Sequence, residues 1–460
     1  MSNAVVFRTA LVSSAAAVLW LGCGAGTAGV GRNNGAADAG ANAGADAGTG
    51  GSRCTPTGPE ICDGLDNDCD GTIDGIDQDN DGISVCAPDS DCDDTNASIS
   101  PGVAEVANDI DDDCDGRIDY GVPGVDYDKD GTPFPQDCND DEPLVGPGAV
   151  EVPGDKVDND CNGQVDESVD CEAAITGSTG NDFARALGIC GDALVSASFP
   201  SFGILAQPTP VSGRSIRSRF GANFSPRDGA KMIHLSNGRS VDNLDDPSYT
   251  PQTGTEFGTV GTHPLWTPPA CAGSYTSARD LNELRLELEV PLNAKSLSYQ
   301  VNFFSSEYPE WVCEGFNDRF IALLESEALD PGKLPGGASA NCQSGTSVPT
   351  CNVSFDSKGQ PLTVNNGFFD ICESAGMNDC GKPVSLLAKT GYDLVMGGEV
   401  AGGATDWLTT KAPVKPGETI TLRFIILDEG DARYDSSVLI DNFRWELEAV
   451  TAPTTEPEIN

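Results

Sequence analysis

The sequence is short of positive charge. Among 460 residues, 26 Lys and Arg stand against 72 Asp and Glu, a formal net charge of −46. A chain with so few cations has no basic patch to neutralise phosphates, which argues against nucleic acid as a partner. Only 2 His and 4 Met are present, and no C-x-x-C pair occurs. Imidazole, thioether and zinc-thiolate sites therefore have few ligands to draw on. The motifs H-E-x-x-H, G-x-S-x-G and G-x-x-x-x-G-K-[ST] are all missing. His263 sits between Thr262 and Pro264, and His234 falls in an apparent strand over Lys231–Leu235. Neither neighbourhood suggests a triad, so the chain reads as a non-enzyme. Near the N-terminus, the apolar run Leu11–Leu21 is too short to cross a bilayer as a helix.

That run follows Arg8 and ends in Leu21-Gly22-Cys23. It fits a signal peptide. The Leu-Gly-Cys ending resembles a bacterial lipobox, in which Cys23 is lipidated and becomes the mature N-terminus. Trp20 departs from that pattern, and ordinary cleavage near Ala28 is the alternative, giving a freely secreted protein. Residues 24–53 are rich in Gly, Ala and Asp without apolar periodicity, a flexible linker with a reach of roughly 30 Å.

Cysteine is abundant. Setting Cys23 aside, 16 of the 17 Cys remain. An even number without zinc-type pairs reads as disulfides in an exported protein.

The excess acid is concentrated between Cys54 and Cys171, where 34 acidic residues meet 3 basic ones. The segment repeats. C-D-G-L-D-N-D-C-D-G-T-I-D (Cys62–Asp74) returns as D-I-D-D-D-C-D-G-R-I-D (Asp109–Asp119) and as D-K-V-D-N-D-C-N-G-Q-V-D (Asp155–Asp166). D-Q-D-N-D-G (Asp77–Gly82) and D-Y-D-K-D-G (Asp126–Gly131) lie between. Each unit also carries a D-C-D/N-D cluster and a P-G-x-x-E turn. Cys69, Cys114 and Cys161 are equivalent, as are Cys92 and Cys138. Pairing Cys69–Cys92 with Cys114–Cys138 respects the repeat, and so does pairing Cys92–Cys114 with Cys138–Cys161.

Carboxylates at positions 1, 3 and 5 of a loop converge on one point, and Gly at 6 permits the sharp turn. Asp126, Asp128 and Asp130 fill those positions, with Asp137 at 12. Asp66, Asp68 and Asp70 do so in the first loop, with Asp74 at 9 and Asp77 at 12; Asp77 then opens the next loop with Asp79 and Asp81. The loops of Asp111, Asp113, Asp115 and of Asp158, Asp160, Asn162 have Val at 12, which leaves Asp119 and Asp166 at position 9 as further candidates. These are hard oxygen donors, which suit several Ca²⁺ ions better than zinc or copper. Gly, Pro and Cys flank the loops where EF-hand helices would have to be.

This run resembles the metal-binding repeat family named after the copper-binding protein MopE and, more loosely, the thrombospondin type 3 repeats. The family name implies copper; the ligands present here point to calcium, in a structural role.

From Glu172 to Val450 the composition shifts. Leu284, Leu286, Leu288 and Val290 alternate with polar residues, as do Leu297, Tyr299, Val301 and Phe303, then Ile420, Leu422, Phe424 and Ile426, and later Trp445 and Leu447. Period-2 runs are strands, and an antiparallel β-sandwich of jelly-roll type is expected. Two blocks, Phe303–Phe320 and Phe424–Phe443, together resemble the choice-of-anchor L domain of exported bacterial surface proteins. Glu307, Asp318, Asp428, Asp435 and Asp441 stand at expected strand ends, where loops can gather them into a second metal site. Tyr308 and Trp311 are candidates for stacking on a sugar ring.

The expected fold class is mainly β, with irregular acidic repeats held by disulfides and Ca²⁺ followed by the sandwich. The expected layout is a signal peptide and lipobox (1–23), linker (24–53), acidic repeats (54–171), sandwich (172–450) and a disordered tail (451–460). The expected function is that of a calcium-binding surface lipoprotein with a structural or adhesive role, held at the outer membrane or cell surface, its repeats a spacer. Partners would be the membrane through the lipid, and polysaccharide or other surface proteins. Carbohydrate binding, copper binding and glycoside hydrolysis by carboxylates such as Glu307 and Glu310 are the alternatives.

Overall fold

The computed structural model describes residues 54–86, 90–152, 154–202, 207–208, 211–262, 277–312, 317–335, 341–365, 367–373, 380–396, 399–429 and 433–458. Cys23, the expected linker and His263 lie outside them. The described chain falls into two compact units, divided between Ile73 and Asp74.

The first unit contains the opening repeat, closed by a Cys54–Cys69 disulfide. The second holds the other repeats and the β-structure. Its disulfides Cys92–Cys114 and Cys138–Cys161 select the second of the two pairings that the spacing allowed. Cys171–Cys190 closes the junction with the β-structure.

Two antiparallel sheets of seven strands each form the sandwich. In the first, Leu194–Ser198 pairs with Ser277–Glu289, then come Thr419–Glu429, Arg319–Glu325 and Thr350–Asn352, with Thr259–Thr262 and Leu362–Thr363 added at the side. In the second, the order is Thr454–Pro457, Leu408–Pro413, Ser296–Ser305, Ser436–Glu446, Met232–Ser236 and Arg214–Arg217, with Gly403–Ala404 beside Ser296–Ser305. The helix Gly180–Ala186, opened by a Thr179–Asp182 capping box, packs Phe183 and Ala184 into the core.

The alternating runs give the core its two faces. Leu284, Leu286, Leu288, Leu422, Phe424 and Ile426 from one sheet meet Leu297, Tyr299, Val301, Phe303, Val438 and Ile440 from the other. All are fully buried, and each such side chain contributes about 1.5–3 kcal/mol. Trp445 is only partly buried at the edge, and Leu447 is exposed.

The outer faces are covered as well. Phe220, Phe224, Leu387, Tyr392 and Trp407 pack over Met232, Phe304 and Leu439 of the second sheet. Ala278, Leu281, Ile321, Leu323, Ile425 and Leu427 form a separate apolar cluster from strands of the first. Strand Ser296–Ser305 is buried along its whole length, although its pattern is that of a half-buried strand.

The tail corrects an expectation. Residues 451–460 are not disordered throughout: Thr454–Pro457 is the edge strand of the second sheet, in register with Leu408–Lys411. The Thr455 hydroxyl reaches Thr410 at 3.0 Å, which anchors it. Among the described residues, no helix is long and apolar enough to cross a membrane.

Candidate metal centres

The loop at Asp126 shows how the repeats are built. Five carboxylates each commit one oxygen to a backbone amide. Asp126 accepts from Gly131 N at 3.0 Å, Asp128 from Asp130 N at 3.1 Å, and Asp130 from Thr132 N at 2.6 Å. Asp137 accepts from Asn139 N at 2.7 Å and Asp140 from Tyr127 N at 3.1 Å. The second oxygen of all five is buried and has no hydrogen-bond partner. Oxygens of Asp126, Asp128 and Asp140 lie within 4.8 Å of one another. Gly131, at φ 107°, makes the turn that a side chain would strain. Gly146 closes the loop from the other side, where a Cβ would stand 3.1 Å from Asp130 Oδ2.

The loop at Asp77 repeats the arrangement. Asp77 accepts from Asn80 N and Gly82 N, Asp79 from Asp81 N, and Asp81 from Ile83 N. Asp91 accepts from Asp93 N, and Asp94 takes the Gln78 amide as Asp140 takes that of Tyr127. Asp79, Asp91 and Asp94 each keep a buried oxygen without a partner.

The other loop type recruits a glutamate from the turn before it. Glu105 accepts from Asp113 N at 2.8 Å and from Asp119 N at 2.7 Å, and its carboxylate clusters with Asp111 and Asp113. Asp111 Oδ1 is buried and unpartnered; Asp115 accepts from Arg117 N. In the first unit, Glu60, Asp66 and Asp68 form the same cluster, with Asp66 Oδ1 unpartnered and Asp70 bound to Thr72 N. In the third copy Glu151 holds the amides of Asn159 and Asp166. There Asp158 accepts from Asn162 N and Gly163 N, and Asn162 bonds Asp160 and Glu167.

Position 9 serves differently from its expected use. Both oxygens of Asp119 are taken, by the amides of Asn108 and Asp109 at 3.0 Å each. Asp166 likewise accepts from Gly154 N. These residues close the loop backbone. Asp74 shares their left-handed conformation, at φ 54° against 58° and 57°.

Burial, followed by the charges of neighbouring aspartates, pushes Asp79, Asp128, Asp137 and Asp140 above the usual carboxylate range. A set of like charges whose free oxygens converge, shielded from water and made only of hard donors, fits a hard divalent cation. Such an ion would neutralise the loop and pin its carboxylates. The Asp126 set would hold it through Asp126, Asp128, Asp130, Asp137 and Asp140. Asp91, Asp94, Asp140 and the glutamates Glu60 and Glu105 were not among the residues expected from loop numbering. For Asp91, Asp94, Asp140 and Glu105 the signal was present in the D-C-D/N-D and P-G-x-x-E elements, which recur with the repeat; Glu60 follows Gly58-Pro59 without that turn.

The five acids expected to form a second site in the sandwich separate. Glu307, Asp318 and Asp428 come together, all at most 3% exposed. Glu307 Oε2 accepts the Asp318 amide at 3.1 Å. Asp318 Oδ2 accepts from Asn237 Nδ2 at 2.7 Å, and the Ser436 hydroxyl also bonds the Asp318 side chain. Burial first, then the charges of Glu307 and Asp428, hold Asp318 well above the carboxylate range. Asp435 binds the Thr255 amide and hydroxyl, and burial pushes it up to about 7, with Asp280 adding to the rise. Asp441 lies apart: it accepts the amides of Arg227 and Asn442, and burial raises it to about 6. Tyr308 is fully buried and stacks on Phe369 at 4.6 Å, so its ring is core and offers no sugar platform. Trp311, half-buried, packs near Tyr434.

Comparison with known families agrees with this division. Residues 52–75, 91–120 and 137–167 match the MopE-type family described as "Putative metal-binding motif". Residues 233–443 match the Choice-of-anchor L domain. No curated protein and no solved structure matches the chain. The two matches and the disulfides describe a surface-associated, metal-binding protein. The chain carries MopE-type metal-binding motifs followed by a choice-of-anchor L domain.

Proposed function

We propose that this protein is a non-enzymatic, calcium-binding component of the bacterial surface, in which the repeats are an ion-stabilised spacer and the sandwich is the structural or adhesive head. One observation carries the calcium reading: ten aspartates of the repeats each hold a buried oxygen that no hydrogen bond satisfies, namely Asp66, Asp79, Asp91, Asp94, Asp111, Asp126, Asp128, Asp130, Asp137 and Asp140. Calcium takes six to eight oxygens in flexible geometry, which such loops supply. Copper would need imidazole or sulfur donors, and the repeats contain neither His nor Met. Their cysteines are disulfide-bonded. Lipidation at Cys23 would tether the body to a membrane, with polysaccharide or other surface proteins as partners of the head.

Titration calorimetry on the chelated protein tests the reading. Ca²⁺ should bind at several sites and more tightly than Mg²⁺ or Cu²⁺. Stoichiometric Cu²⁺ uptake in preference to Ca²⁺ would favour copper handling instead.

A further inference from the structure

Two disulfides of the repeats run through the ion loops. Cys92 lies between Asp91 and Asp94, and Cys138 between Asp137 and Asp140. These four aspartates are at most 8% exposed, and each keeps a buried oxygen without a hydrogen-bond partner. The free oxygens of the Asp77 and Asp126 loops thus stand on both sides of a bridging cysteine. The far ends of the bridges, Cys114 and Cys161, sit between Asp113 and Asp115 and between Asp160 and Asn162. Each bridge therefore clips one loop to the loop that follows. The local contacts repeat too: Cys92 N donates to Cys114 Sγ at 3.3 Å, and Cys138 N to Cys161 Sγ at 3.0 Å. Cys92 and Cys138 are exposed, while Cys114 and Cys161 are half-buried.

A thiolate reduces a bridge only where it can reach one sulfur while the other moves away. Here that movement displaces the buried aspartates beside Cys92 or Cys138, so it requires the loop to open. We propose that an ion in the Asp77 loop shields Cys92–Cys114 from reduction and an ion in the Asp126 loop shields Cys138–Cys161, so that withdrawal of calcium opens the repeats to thiol–disulfide exchange. This rests on the repeats binding calcium. An ion that binds only the closed loop slows reduction by the factor 1 + [Ca²⁺]/Kd, about a hundredfold at a hundred times Kd. By linkage, a reduced bridge weakens the ion in turn. In the exchange itself, a dithiothreitol thiolate attacks one sulfur of the bridge, the S–S bond breaks, and the departing cysteine takes a proton from water. The second dithiothreitol thiol then closes a ring and frees the other cysteine, so two electrons pass from dithiothreitol to the bridge.

The test uses the full chain in Ca²⁺ or chelator. Free thiols are alkylated at intervals after adding dithiothreitol, and peptide mass spectrometry follows each bridge separately. A neutral phosphine serves as a second reductant, because removing an ion also increases the repulsion of a thiolate. Cys171–Cys190 is the internal control, since Asp170 and Glu172 beside it are committed to backbone amides. Ca²⁺ is expected to slow reduction of Cys92–Cys114 and Cys138–Cys161 at least tenfold and to leave the control unchanged. Asp140→Asn should lose protection at Cys138–Cys161 alone, and Asp94→Asn at Cys92–Cys114 alone. An unchanged control rate shows that a variant is folded; where one variant is not, the other carries the comparison. Ions are counted in the same samples by native mass spectrometry. Bound Ca²⁺ without protection, or loss of protection at both bridges alike in a folded variant, overturns the inference and leaves the calcium reading standing. Absence of bound Ca²⁺ overturns both.

Discussion

Asn293 and Val150 exchange two hydrogen bonds across 143 positions of sequence. The Val150 amide donates to Asn293 Oδ1 at 2.9 Å, and Asn293 Nδ2 donates to the Val150 carbonyl at 2.8 Å. One residue away, Leu292 N reaches the Gly148 carbonyl at 3.3 Å. The last P-G-x-x-E turn of the repeats is thereby docked on the turn between two sandwich strands. A side-chain amide that copies the hydrogen bonding of a β-ladder fixes orientation as well as proximity.

Asn293 is buried at 2% exposure, so Asn293→Ala leaves the Val150 donor and acceptor without partners. The cost is expected at about 1–3 kcal/mol. Hydrogen exchange should accelerate at residues 145–152 while strands of the sandwich stay protected. Unchanged exchange there would mean that the docking rests on other contacts.

Removal of metal should open the repeats. Without an ion, their free carboxylate oxygens repel one another at close range. Arg117, Lys129 and Lys156 are the only tryptic sites between Cys54 and Cys171. Limited trypsinolysis is expected to cut at these three in chelator and to spare them in Ca²⁺. Equal cleavage under both conditions would remove the ionic basis proposed for the repeats.

Asp140 and Asp119 separate ligation from loop closure. Asp140→Asn keeps an oxygen for the Tyr127 amide and puts an amide where the free oxygen was. Ion affinity at that loop should fall about tenfold or more. Asp119→Asn loses one of its two amide contacts at a cost of about 1–3 kcal/mol, and its loop should still take up an ion at saturating Ca²⁺. The reverse result would restore Asp119 as a ligand.

Where a single apolar face decides the structure, the sequence was easily read. Leu284 to Val290, Leu297 to Phe303 and Ile420 to Ile426 show their inward face by alternation, and all three runs line the core. The outward residues of Ser296–Ser305 did not reveal their burial, because what meets them comes from far along the chain: Phe220, Phe224 and Tyr392 at Phe304, Glu446 at Ser298, and Arg227 and Glu458 at Gln300. Loop numbering of the EF-hand kind assumes that ligands follow the first aspartate. Glu60 and Glu105 precede it, and by holding the loop amides they leave Asp119 to other work. The cysteine pairing was open because two registers satisfy the same repeat.

The tail is a test of edge-strand pairing. Truncation after Val450 would remove the partner of Leu408–Lys411, the Thr455 hydroxyl contacts with Thr410 and Phe355 N, and the Glu458 ion pair with Arg227. The loss is expected on the order of 2–4 kcal/mol, with a new open edge that favours association. A truncated chain that melts like the full one would return the tail to a passive role.

His234 makes the sandwich sensitive to acid. Its ring is fully buried against Phe220, with Nδ1 on the Ser240 hydroxyl at 3.1 Å and Nε2 without a partner. Burial first, then the positive charge of Arg217, depress its pKa well below the ordinary 6.5. The folded chain thus keeps His234 neutral while the unfolded chain takes up a proton near pH 6.5. Stability from this group is complete above that value and is lost as pH falls towards the folded pKa. The slope cannot exceed about 1.4 kcal/mol per pH unit for one proton. His234→Gln should flatten the stability curve between pH 7 and 5 relative to wild type, measured by denaturant melts in chelator so that ion release does not contribute. Parallel curves for the two proteins would show that another group carries the acid response.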